Sequence, residues 1–80
     1  MMKPQDKIQS KIAFIENVKA YDFTRNMTQY ALEVNYTNGD CDMFTTPMDP
    51  TLGSDKGDFK SIDEFNECIE YCQSKGLLRS

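Results

Sequence analysis

The stretch Tyr30-Ala31-Leu32-Glu33-Val34-Asn35-Tyr36-Thr37-Asn38-Gly39-Asp40-Cys41-Asp42-Met43-Phe44-Thr45-Thr46 decides the fold. Tyr30, Leu32, Val34 and Tyr36 alternate with Ala31, Glu33 and Asn35, the period of a strand with one buried face. The strand is expected over 28–37. It runs into Asn38-Gly39, a dipeptide that tolerates positive φ and reads as a two-residue hairpin turn, with the next strand over 40–46. That loop length pairs Tyr36 with Cys41, Val34 with Met43 and Leu32 with Thr45. Cys41 and Met43 are then expected on the buried face. Phe44 falls on the other face, where a further segment covers it or it serves as a contact residue.

Working upstream, residues 18–24 read as a preceding strand with Arg25-Asn26 as its turn. In this register Tyr21 and Phe23 join Tyr30 and Leu32, and Val18 and Ala20 fall on the Phe44 side. Residues 5–16 admit two readings. Ile8, Ile12 and Ile15 recur at helical spacing behind Pro4, which suits a first helical turn. Ile12, Phe14 and Glu16 would instead extend the first strand. The helix is favoured, as a cover for Phe44. Downstream, residues 47–60 hold prolines, glycines and aspartates and read as a loop. A helix is expected over 61–75, opened by a Ser61/Glu64 capping box and closed by Gly76. Its stripe of Ile62, Phe65, Cys68, Ile69 and Cys72 should pack on the sheet. The expected architecture is α+β: one domain over 1–80, with an N-terminal segment (1–16), a three-stranded antiparallel meander (17–46), a loop (47–60) and a C-terminal helix (61–75).

Eighty residues with 39% hydrophobic content suffice for a single small core. Its net stability is only about 3–5 kcal/mol, so assembly with itself or a partner is plausible. No apolar run approaches the roughly 18 residues of a membrane span, and the first residues lead into no signal-like segment, so a cytoplasmic location is expected. Three cysteines in such a chain do not suggest a disulfide framework.

Net charge is −4 and unevenly spread. No Lys or Arg occurs between Arg25 and Lys56, an interval that holds Glu33, Asp40, Asp42, Asp49 and Asp55. The chain has no His, which removes the commonest general base and metal ligand, so no enzyme and no cofactor are expected. Cys41, Cys68 and Cys72, the last two one helical turn apart, could with an Asp hold zinc, but no C-x-x-C pair occurs and buried thiols more often pack as small hydrophobes. The aspartates of the 47–60 loop do not match a calcium-loop spacing and read as a solvated turn.

The remaining expectation is recognition of a protein with a basic surface. Asp63, Glu67 and Glu70 form an acidic stripe on the outer face of the last helix, and Glu33, Asp40, Asp42 and Phe44 complete the candidate contact set. In size and charge the chain is similar to small acidic phage proteins that disable host defence, anti-CRISPR proteins among them. The likeness is one of class and implies an inhibitor of a basic nucleic-acid-handling partner in the host cytoplasm. Two alternatives remain at this point. One is a sheet that binds nucleic acid, although the strands carry Glu33, Asn35 and Asp42 where such binding needs Lys and Arg. The other is a self-assembling accessory protein that uses a spare apolar face for a homodimer.

Overall fold

The computed structural model describes residues 3–22, 30–46 and 57–79. Within them lie helix α1 (Pro4–Ser10), a short 3-10 turn (Ile12–Phe14), strands β1 (Ile15–Asp22), β2 (Tyr30–Tyr36) and β3 (Cys41–Thr45), and helix α2 (Ile62–Ser74). The strands form an antiparallel meander in the order β1-β2-β3. The fold is α+β, as the sequence pattern requires. The last two residues of the expected first strand, Phe23 among them, the Arg25-Asn26 turn and the 47–56 part of the loop lie outside the described residues.

The hairpin closes differently from the expected two-residue turn. Gly39 N–H donates to the Tyr36 carbonyl at 3.1 Å, and Tyr36 N–H donates to the Asp40 carbonyl at 2.8 Å. The loop is therefore three residues, Thr37-Asn38-Gly39, with Gly39 at φ +93° in the left-handed region that a side chain resists. Asn38 Oδ1 accepts from Asp40 N–H at 2.9 Å and fixes the turn. The observed partners are Leu32–Phe44, Val34–Asp42, Glu33–Met43 and Asn35–Cys41. The slip is one residue, and it exchanges the two faces of β3.

Phe44 consequently joins the core and is 6% exposed, while Met43 is 50% exposed and Cys41 lies on the open face. Either loop length would bury one large residue of β3. The three-residue loop buries the aromatic one and also turns Asp42 towards Tyr36, whose hydroxyl donates to Asp42 Oδ2 at 2.6 Å.

The first strand shows a matching correction. Val18 pairs with Val34 and Ala20 with Leu32, so Tyr21, expected beside Leu32, lies on the open face. Val18 and Phe44 do share a side, and that side is the core itself. An irregularity between Ile15 and Asn17 changes the phase, so that Ile15 and Val18 are both buried despite their odd spacing.

Both readings of residues 5–16 contain part of the answer. Pro4 opens α1, Lys11 N–H closes onto the Ile8 carbonyl, and Ile15 already belongs to β1. Ile8 reaches the core from α1. Phe65, Cys68 and Cys72 reach it from α2, with Ile69 partly buried beside them. Ser61 Oγ accepts from Glu64 N–H at 3.2 Å, and Glu64 Oε2 accepts from Lys60 N–H at 3.1 Å, so the Ser61/Glu64 cap forms. At the far end Gly76 takes φ +70°, with Gly76 N–H on the Gln73 carbonyl and Leu77 N–H on the Cys72 carbonyl.

That turn sends Leu77–Arg79 along the free edge of β1. Val18 N–H donates to the Leu77 carbonyl at 2.9 Å, and Arg79 N–H donates to the Val18 carbonyl at 2.7 Å. Phe59 is a core residue that the loop reading concealed. It is fully buried and meets Phe65 edge-to-face at 5.3 Å. Its place is set by backbone bonds, since Asp58 and Phe59 N–H both reach the Thr45 carbonyl.

The register has a direct thermodynamic consequence. Phe44→Ala should destabilise the fold by about 3–5 kcal/mol, the cost of emptying a buried aromatic site. Met43→Ala should stay within about 0.5 kcal/mol, as an exposed substitution does. Urea unfolding of the two variants checks this, and the reverse ranking would restore the two-residue turn.

Candidate functional site

The short turn Ile12–Phe14 is docked on the hairpin loop, where Thr37 N–H donates to the Phe14 carbonyl at 2.8 Å. Between them opens a cleft of about 480 Å³ lined by Lys11, Phe14, Tyr36, Thr37, Asn38, Asp40, Cys41 and Asp42. Phe14 is 64% exposed, one of two large hydrophobic side chains turned to solvent among the described residues. Two carboxylates, Asp40 and Asp42, line the same cleft.

Tyr36 forms the floor. Its ring is buried, its hydroxyl donates to Asp42, and Lys11 Nζ lies 5.2 Å from the ring centroid. Burial first, and then the bond to Asp42, push the Tyr36 phenol well above its ordinary value. The arrangement holds the Asp42 carboxylate in place, whereas the Asp40 carboxylate accepts only from Asn38 Nδ2 among the described residues.

The sequence-derived contact residues do not assemble into one patch. Asp40 and Asp42 meet in the cleft. Glu33 lies on the open sheet face, where it accepts from the Tyr21 hydroxyl at 2.8 Å. Asp63, Glu67 and Glu70 are exposed on α2, on the face away from the core stripe of Phe65, Cys68 and Cys72. Phe44 is removed from the set: it is buried, and Lys7 Nζ lies 5.6 Å from its ring centroid. The exposed aromatic is Phe14 instead. One sign of this was in the sequence, because Phe14 falls off the Ile8/Ile12/Ile15 stripe.

The zinc alternative fails on geometry. The one-residue slip puts Cys41 on the open face, whereas Cys68 and Cys72 are buried beneath the sheet. Among the described residues no three His, Cys, Asp or Glu side chains gather around a common point. The Cys68 thiol is pushed up by its hydrogen bond with Cys72 and by burial, as suits a core thiol. No helix among the described residues is long and apolar enough to cross a membrane.

A second, shallower hollow of about 280 Å³ lies over the open sheet face, among Glu16, Lys19, Glu33, Asn35 and Arg79. Its charges are mixed, and Asn35 Nδ2 donates to Asn17 Oδ1 across the strands at 3.0 Å. It offers no row of cations for a phosphate backbone. Comparison with family models, with curated proteins and with solved structures gave no match, so the site is read from its own chemistry.

Two measurements test this description. A maleimide should label Cys41 rapidly in the native protein, whereas Cys68 and Cys72 should react only on unfolding; fast labelling of all three would contradict the burial. For Tyr36, the folded state holds its proton to higher pH than the unfolded chain, whose tyrosine titrates near 10.0. Stability is therefore full below that pH and falls as pH rises above it. Tyr36→Phe should flatten this alkaline decline in pH-dependent urea melts, and an unchanged slope would contradict it.

Proposed function

We propose that the protein acts by binding another protein and carries out no covalent chemistry of its own. The observation that carries this reading is the cleft at the hairpin end, where a solvent-exposed Phe14 stands beside Asp40 and Asp42. An aromatic ring supplies contact area, and nearby carboxylates select a cationic surface. Its chemistry suits a Lys or Arg side chain, whose stem packs on a ring while its head meets a carboxylate.

The exposed stripe Asp63, Glu67 and Glu70 has no ion pair among the described residues. Like charges spaced one turn apart cost a few tenths of a kcal/mol per pair. Such a stripe would raise the encounter rate with a basic partner more than the final affinity. In its finer form the reading is that of a small acidic inhibitor, of the kind phages use, that occupies a basic nucleic-acid-handling protein of the host. The acidic balance of the chain supports it.

The test is quantitative capture from host lysate by the tagged protein, compared with Phe14→Ser, Asp40→Lys and the triple variant Asp63→Lys/Glu67→Lys/Glu70→Lys, all checked for fold. Phe14→Ser should weaken the partner at least about tenfold, as loss of an aromatic anchor does. The triple variant should slow association and reduce its salt dependence. Capture unchanged in all three variants would dismiss the reading.

A further inference from the structure

Among the described residues each edge of the sheet is covered only in part. Beside β1 the Leu77–Arg79 segment takes up the free N–H and C=O of Val18. Beside β3 the alternation of the antiparallel ladder decides which groups are free. The Tyr36 N–H to Asp40 and Thr46 N–H to Tyr30 bonds show that Asp40, Asp42, Phe44 and Thr46 turn their backbone towards β2. Cys41, Met43 and Thr45 therefore turn theirs outward.

Thr45 confirms the direction. Its outward carbonyl accepts from Asp58 and Phe59, and its N–H donates to Asp58 Oδ2 at 3.1 Å. Cys41 and Met43 present the same four groups, and none of the described residues meets them. Their side chains are exposed as well. Edge strands are normally guarded by Lys, Pro, a bulge or an inward-pointing charge. Cys41-Asp42-Met43 carries only the last of these, in Asp42.

We propose that β3 accepts an extended segment of a partner protein as the next strand of the sheet, one that alternates apolar residues with Lys or Arg. The proposal rests on the protein-binding reading and specifies how the partner is held. Apolar residues of the added strand face Met43 and Cys41 on the open side, and its basic residues face Asp42 and Asp40 on the side of the cleft. Opposite charges directly across a pair of strands stabilise it, and like charges do the reverse.

The same carboxylate argues against a second copy as the occupant. Two β3 strands joined through their four free groups would be related about Asp42, which would then oppose its own twin. The lysines on this side do not neutralise it by pairing, because Lys7 and Lys11 are laid over the rings of Phe44 and Tyr36. Backbone bonds supply the affinity in such strand addition, and the alternate side chains supply the selectivity.

The probe is a blocked synthetic peptide of about nine residues alternating valine and lysine, long enough for a strand. It is compared with its valine–glutamate counterpart and with two versions N-methylated on alternate residues, one in each phase. At saturation the valine–lysine peptide should slow amide exchange at Cys41 and Met43 by at least about tenfold. One methylated phase should bind at least about tenfold more weakly than the other, and the glutamate peptide should lose at least as much. Met43→Pro removes an outward N–H that the fold does not use, a position where an edge strand tolerates proline; it should weaken the peptide about tenfold. If that variant fails to fold, the two methylated phases still decide.

Unaltered exchange at Cys41 and Met43, or equal binding of both methylated phases, overturns the proposal. Protection that grows with protein concentration in the absence of peptide also overturns it, since a second copy is then the occupant. If the edge stays free while Phe14→Ser still abolishes capture, strand addition fails and the cleft reading stands.

Discussion

Gly39 holds a backbone conformation that amino acids with a side chain avoid, and this turns Thr37-Asn38-Gly39 into a three-residue loop. The register of β3 on β2 follows from that loop length, and the register sorts Cys41, Asp42, Met43 and Phe44 between the two faces of the sheet. Phe44 enters the interior under α1, Asp42 comes within reach of the Tyr36 hydroxyl, and Cys41 and Met43 are left outside. The cleft, the open edge and the separation of the three cysteines all depend on this one local geometry. A loop shorter by one residue would bring Cys41 to the helix side and remove Asp42 from Tyr36.

The interior is small, and each element supplies only a few anchors. Ile8 comes from α1, Val18, Leu32, Val34 and Phe44 from the sheet, and Phe65, Cys68 and Cys72 from α2. Phe59 closes the core between β3 and α2 through its edge-to-face contact with Phe65. With so few buried side chains, the hydrogen-bonded ends matter: the Ser61 cap, the Gly76 turn and the Leu77–Arg79 bridge all remove backbone groups from unsatisfied positions. Among the described residues, backbone partners cover Val18 on the β1 edge and Thr45 on the β3 edge and leave Cys41 and Met43 without one.

The surface divides between polar pairs that satisfy one another and groups turned to solvent. Mixed polar pairs such as Tyr21–Glu33 and Asn17–Asn35 occupy the open sheet face and satisfy one another. By contrast Phe14, Asp40 and the outer stripe of α2 are presented to solvent. An exposed ring next to carboxylates suits a cationic side chain better than an apolar or anionic one. The Lys11–Tyr36 contact and the Tyr36–Asp42 bond tie together the cleft floor beneath it.

Local pattern was enough to determine the meander, the capped C-terminal helix and its buried stripe, and the acidic character of the middle of the chain. These follow from nearest-neighbour chemistry: alternation in Tyr30–Tyr36, the Ser61/Glu64 cap, the Gly76 stop. The order of helix, turn and strand in residues 5–16 was only half legible, because the isoleucine spacing fits a helix although the chain leaves it after Ser10. The tertiary structure alone decided the loop length, and with it which of Met43 and Phe44 is buried. Asn38-Gly39 suits a two-residue or a three-residue loop, and only packing against Ile8, Leu32 and Val34, with the Tyr36–Asp42 bond, distinguishes them. The burial of Phe59 and the exposure of Phe14 were decided in the same way, since a single aromatic in a turn-rich segment carries no period from which its environment could be read.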